Sequence, residues 1–479
     1  MESNKTKNIL LSCAVIVLIT GVCAGLIAIS GVAVSRFWPL RFSSEEDVQP
    51  LPGEGIQVPT PLVEPDEDLP GPIDTTTPEV DESLPEELAE VVLEIEAQVT
   101  ELRGLTLRQP VPRIMMTAEE LEMIVVNDFF AEYTDEDARQ DVLVLSLLGL
   151  IPADFDLKNF YTDLYSEQIL GFYDSETEEI YVVQGTTFGG SEKLTYAHEF
   201  VHVLQDQNFG FEEGLNLTDE ACEVDSERCA AALALSEGDA SLTELLWFQT
   251  YATREDYQDI VRAFQDYASP VLDAAPPFIQ ADLIFPYEQG FAFVQNLYDR
   301  GGFEAVDAAY LDPPSSTEQI LHPNLYPWDV PQVVTLPDLT DALGEGWTLF
   351  DQNVMGEWFT YLILGQAHDE VYRLPENQAS AAAEGWGGDA YAFYLNNNAD
   401  ALIFILETIW DSTADANEFA AALTNYADLR WITAEEQIAG QPTWTGTEGS
   451  IVFVQAGDRT LWIIAPTNAL AERVLLELQ

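Results

Sequence analysis

Residues 195–207 read TYAHEFVHVLQDQ and hold two of the four histidines of this 479-residue chain. His198 and His202 are four apart, with Glu199 beside the first. Leu194, Ala197, Val201 and Leu204 recur at helical spacing, so the stretch predicts a helix, with Ser191 after Gly189 and Gly190 as its N-cap. On a helix, side chains four apart share one face, about one turn from each other. Two imidazoles so placed can act as two ligands of a tetrahedral Zn²⁺. Glu199 then lies to one side, where it can take a proton from a water on the metal. The plainer alternative is a pair of core histidines satisfied by hydrogen bonds.

A catalytic zinc takes three protein ligands and keeps a fourth position for water. A third histidine six residues after His202 is missing, because that place is Asn208. A carboxylate must serve, and Glu237 in ALSEGDAS is the best placed. Its neighbours Ala234, Leu235 and Ala240 are small or apolar, and a glutamate on such a face is costly unless paired or bound to metal. Asp206 and Asp239 are weaker alternatives. Gly238 lets a neighbouring helix come close.

These residues need elements to hold them. Residues 166–185, SEQILGFYDSETEEIYVVQG, read as two β-rich runs around Asp174–Thr177, a hairpin directly before the histidine helix. Helical patterns run over Pro85–Arg103 and DARQDVLVLSLLGL, and Thr117 with Glu120 has capping-box spacing for a helix that starts there in MTAEELEMIVVNDFFAEY, residues 116–133. AALALSEGDASLTELLWFQTYA predicts the helix that carries Glu237.

The phrases GFYDSETEEIYVV, HEFVHVLQDQNF, LSEGDA, FPYEQGFAFVQNLYDRGG and STEQILHP resemble the gluzincin group of zinc metallopeptidases, of the thermolysin type. Within it they are similar to a largely uncharacterised group of bacterial membrane-anchored or secreted proteins. The resemblance implies a zincin-like helical body with His198, His202 and Glu237 as zinc ligands and Glu199 as general base. It implies that a strand near Tyr173 and Tyr181 pairs with an extended peptide substrate. It also implies a downstream histidine that meets the oxyanion, for which His322 is the expected residue and Tyr326 the alternative. One departure stands out: where thermolysin-like enzymes carry an aspartate four residues after the ligand glutamate, this chain has Ser241.

Composition bounds the rest. The chain carries 84 acidic against 18 basic residues, a net charge of -66, which repels nucleic acid. Residues 9–34 carry no charge and are long enough to cross a bilayer, which predicts an uncleaved signal anchor after a cytoplasmic tail at 1–8. Residues 42–84 are rich in Pro, Glu, Asp and Thr, the composition of a disordered linker. Cys222 and Cys229 have no zinc-finger spacing; they are either two free thiols or a local disulfide, and a disulfide would imply an oxidising compartment.

The expected organisation is mainly α with small β elements, an α+β fold. A metallopeptidase domain spans 85–330, a helical connection 331–389, and a small α+β module 390–479. The expected function is a single-pass membrane zinc peptidase with its body outside the cytoplasm, acting on peptide or protein substrates. The alternative is a non-catalytic zincin-fold surface protein that binds a partner.

Overall fold

The computed structural model describes residues 85–478 apart from 118–119, 121–122, 124–132, 169–170, 184–187, 267–268, 397–400 and 435–436. The tail at 1–8, the anchor at 9–34 and the linker at 42–84 lie outside the described residues, as does most of the helix expected after Thr117. Thr117 and Glu120 do make the reciprocal capping bonds, 2.9 and 3.2 Å. Among the described residues no helix is long and apolar enough to cross a membrane.

The fold is α+β. The first part of the chain forms α1 (Glu86–Arg103), β1 (Arg113–Met116), α2 (Asp135–Leu147), α3 (Leu157–Gln168), β2 (Gly171–Asp174) and β3 (Glu179–Val183). Helices follow: α4 (Gly190–Phe209), α5 (Asp219–Cys222), α6 (Ser226–Tyr251), α7 (Arg254–Asp266), α8 (Pro270–Asp273), α9 (Pro277–Gly301), α10 (Phe303–Leu311) and α11 (Thr317–Leu321). The last part forms α12 (Thr340–Leu343), β4 (Trp347–Asn353), α13 (Gly356–Gly365), α14 (Glu376–Ala383), β5 (Trp386–Asn396), β6 (Ala401–Trp410) and α15 (Thr413–Arg430). It closes with β7 (Ile432–Thr433), β8 (Thr443–Gly446), β9 (Gly449–Ala456), β10 (Arg459–Ala465) and α16 (Asn468–Glu477).

The hairpin is present as β2 and β3, with Tyr173 opposite Ile180. β1 adds to β3 in parallel, so the small sheet runs β1-β3-β2 and leaves β2 at an edge. The histidine helix α4 begins one residue before the expected cap. Gly189 is the N-cap, its N–H bonded to the Glu192 carboxylate, and Ser191 sits inside the first turn. The reason is packing: α7 crosses so closely that a Cβ on Gly190 would stand 2.3 Å from the Asp256 carbonyl oxygen. Every residue of α4 from Leu194 to Gln205 is buried.

A helix buried all round needs thin neighbours. The run AAALALSEGDA in α6 supplies them, and α6 packs against α9 through glycines on both sides. A Cβ on Gly238 would lie 2.2 Å from the Gly290 carbonyl oxygen. Gly238→Ala is therefore expected to force the two helices apart and cost about 1–3 kcal/mol. Thermal unfolding checks it, and a midpoint equal to the parent's would mean that the helices separate freely.

The second sheet is antiparallel, with strand order β4-β5-β6-β10-β9-β8-β7. The strand pairs expected from AYAFYLNNNADALIFILETIW and GSIVFVQAGDRTLWIIAP are β5–β6 and β9–β10. Tyr391, Phe393 and Leu395 of β5 face one core, while Ala390, Ala392 and Tyr394 face another beneath α16. Both faces are covered, which is why these strands read as nearly continuous apolar runs rather than alternating ones.

The stretch 331–389 differs from the helical connection expected. It holds β4 and the start of β5 as well as α12, α13 and α14. β4 pairs with β5 across two intervening helices, so no turn sequence announces the pairing. The C-terminal sheet is not packed separately either. One apolar cluster joins Leu145 and Leu148 of the α2 region and Phe278 and Leu283 of α9 to Phe359, Phe393 and Trp462.

Candidate functional site

α4 and α6 meet with His198, His202 and Glu237 facing each other, all fully buried. Ligand atoms of the three lie within 4.8 Å of one another, and the group could hold a metal ion. Glu237 Oε2 is 3.2 Å from His198 Nε2 and 3.5 Å from His202 Nε2. Hydrogen bonding within the trio is incomplete: His202 Nε2, at 3.5 Å from Glu237 Oε2, and Glu237 Oε1 are buried without a hydrogen bond of normal length. Such atoms are costly to leave alone and point to a missing partner at their centre.

The outer hydrogen bonds set the imidazoles. His198 Nδ1 bonds to Glu244 Oε2 at 2.9 Å, and an acid there makes Nδ1 the protonated nitrogen. His202 Nδ1 meets Gln205 Oε1 at 2.8 Å. The amide of Gln205 is oriented without ambiguity. Its Nε2 donates to the Ser236 carbonyl and to Asp239 Oδ2, both at 3.0 Å, so Oε1 faces the histidine as an acceptor. With each Nδ1 facing an acceptor, both Nε2 atoms face the Glu237 carboxylate. This is the arrangement in which metal-bound histidines are held by their second nitrogen.

Glu199 is turned off this face. Its Oε2 accepts the Tyr173 N–H of β2 at 3.1 Å, and its Oε1 is buried with no hydrogen bond. Burial pushes the Glu199 carboxyl up to about 8, against the pull of His198 and His202. Burial would also raise Glu237, but the attraction of the two histidines outweighs it and holds that carboxyl down at about 2. One helix thus presents a carboxyl that takes up a proton easily, beside a trio that keeps its carboxylate charged.

The remaining expected residues fall in different places. Asp239 is not a ligand; it is ion-paired to Arg103 and accepts from Tyr310 and Gln205. Asp206 accepts from the Tyr173 hydroxyl and the Phe211 N–H. Cys222 and Cys229 form a disulfide across the turn that leads into α6. His322 does not share the trio's hydrogen bonds. It ends α11 and bonds Glu357 at 2.9 Å, and Glu357 follows Gly356, which lies against the Glu227 carboxyl in the first turn of α6. Ten residues of helix, roughly 15 Å, separate Glu227 from Glu237 along α6. The alternative, Tyr326, donates to the Asp312 carbonyl instead.

Sequence reasoning missed Glu244, Gln205 and Tyr287, whose ring centroid is 6.4 Å from that of His198. Two of them carried a signal. Glu244 is two helical turns after Glu237, on the same face, and fills the role for which Ser241 is unsuited; Gln205 is three residues after His202. Tyr287 comes from another helix and had none. Glu244→Ala should weaken metal retention by about 10–100-fold while leaving the three ligands in place. Competition with a chromophoric chelator measures this, and an unchanged affinity would remove Glu244 from the site.

A family model described as "Domain of unknown function (DUF8575)" matches residues 348–475, the stretch that forms the seven-stranded sheet and its helices and not the histidine site. No curated protein and no solved structure matches the chain.

Proposed function

We propose that the protein is a membrane-anchored zinc peptidase of the gluzincin type, with a zincin-like body that stands outside the cytoplasm. The observation that carries this reading is the pairing of a buried His198–His202–Glu237 trio with a glutamate, Glu199, that keeps one oxygen unbonded beside it. A buried pair of structural histidines would not require that glutamate.

The donor set fits zinc. Two imidazole nitrogens and a carboxylate oxygen are the usual ligands of a catalytic site. Tetrahedral ligands at about 2.0–2.1 Å from the ion stand roughly 3.3 Å apart, and the two distances to Glu237 are 3.2 and 3.5 Å. A zinc ion held there would polarise a peptide carbonyl and make water more acidic.

The chain's own residues supply the rest. Glu199 Oε1 takes the proton of the attacking water and passes it to the departing amine. Its Oε2 stays on the Tyr173 N–H, so the carboxylate does not swing away. β2 is the edge of its sheet, and an extended peptide can add there by backbone hydrogen bonds. Because Tyr173 belongs to β2, the edge that would hold the substrate and the base that would act on it are joined by one bond. The Cys222–Cys229 disulfide supports a location in an oxidising compartment.

The test is zinc content of the full chain together with hydrolysis of casein and of a mixed peptide library. His202→Ala should lose both metal and hydrolysis. A parent protein that holds zinc and cuts nothing would favour the non-catalytic surface protein.

A further inference from the structure

We propose that Glu318, Asp329 and Asp411 form a second cation site, which takes a hard divalent ion of the calcium class. The proposal stands on residues remote from the histidine trio and does not depend on the peptidase reading. Carboxylate oxygens of the three lie within 4.8 Å of one another. Asp411 is exposed and Asp329 partly so, but Glu318 is only 2 % exposed. Its Oε1 has neither a hydrogen bond nor contact with solvent.

Three carboxylates this close repel strongly in a medium of low dielectric. The charged groups that act on Glu318 are Glu357, Asp329, Asp411 and Glu227, and those on Asp411 are Asp329 and Asp415. All are acids. Among the described residues no lysine or arginine forms a salt bridge with any of the three. A buried Glu318 carboxyl that shares this cluster with two more carboxylates and leaves Oε1 without a hydrogen bond is explained by a cation between them.

The donors decide the class of ion. All are oxygens, with no imidazole or thiolate, which suits calcium or magnesium rather than zinc. Magnesium demands near-ideal octahedral geometry and keeps most of its water; calcium accepts irregular sets of carboxylates from separate segments. Here the ligands come from α11, from the segment after it, and from the residue just past β6. The ion would act as a staple. Thr317, next to Glu318, donates its N–H and its hydroxyl to Glu227 in the first turn of α6, and the Asp411 N–H is held by the Gly385 carbonyl at the start of β5. Calcium would thus tie the C-terminal sheet to the base of the helix that carries Glu237.

Thermal unfolding of the full chain, with zinc held constant, tests this in about 5 mM CaCl₂, in MgCl₂, and in NaCl of equal ionic strength. Calcium should raise the midpoint of the parent by on the order of 5 °C beyond sodium. Glu318→Gln and Asp411→Asn should lose that shift. In calcium-free buffer Glu318→Gln should melt no lower than the parent, because a neutral amide in that place adds no repulsion to Asp329 and Asp411. If Glu318→Gln does not fold, the exposed Asp411→Asn decides alone. A parent shift no larger than that in sodium, or variants that respond like the parent, would overturn the site. An equal response to magnesium would overturn the assignment to calcium.

Discussion

On the proposed reading, full-length protein carrying Glu199→Gln is expected to keep its zinc and to lose hydrolysis by about 10²–10⁴-fold, the usual contribution of a general base. The substitution is nearly isosteric, and the amide oxygen can still accept the Tyr173 N–H, so β2 stays where it is. What disappears is the proton acceptor at Oε1. His198, His202 and Glu237 are untouched, and metal content should equal the parent's. Zinc analysis and turnover on the same preparation separate the outcomes. Full activity in the variant would refute the proposed mechanism. Loss of zinc together with activity would instead make Glu199 a structural support of the site.

Arg103→Met is expected to be the most destabilising single change outside the apolar core. Arg103 ends α1 and reaches across to α6. Its Nε stands 2.8 and 3.0 Å from the two oxygens of Asp239, and its Nη2 stands 2.7 Å from Asp307. Its guanidinium also lies over the Phe303 ring at 4.5 Å. Neither Arg103 nor Asp239 has any side-chain exposure. Removal of one partner leaves a buried charge uncompensated, at a cost of about 3–5 kcal/mol. The unfolding midpoint should fall by roughly 10 °C. Because Asp239 also orients Gln205, and Gln205 holds His202, metal affinity should fall as well. Adding Asp239→Asn to Arg103→Met should recover much of the stability, since the orphaned charge is then gone. A single variant that melts within about 1 °C of the parent would show that water or a proton relieves Asp239 without the arginine.

The two predictions draw on different levels of information. His198, His202 and Glu199 are legible from spacing alone, because an α-helix converts a separation of four residues into a shared face without help from the rest of the fold. Glu237 is legible for a second local reason: a carboxylate among alanines and leucines demands a partner. The hairpin at 171–183 and the strand pairs β5–β6 and β9–β10 are also local, each joined across a short connection. The pairing of Cys222 with Cys229 lay within local reach as one of two alternatives.

What only the tertiary structure decided involves residues brought together from distant segments. Arg103 and Asp239 are 136 residues apart, and no periodicity links them. The parallel addition of β1 to β3 and the edge position of β4 follow from how layers close over a core, not from any turn. His322 precedes a proline and ends a helix, as its sequence indicates, yet that does not say which way the helix faces. Packing of α11 against the first turn of α6 turned it to Glu357. The sequence by itself determined which side chains share a helix face, because helical geometry is set within a few residues. The crossing of α4, α6 and α9 through their small residues decided which faces meet, because close packing depends on every element at once.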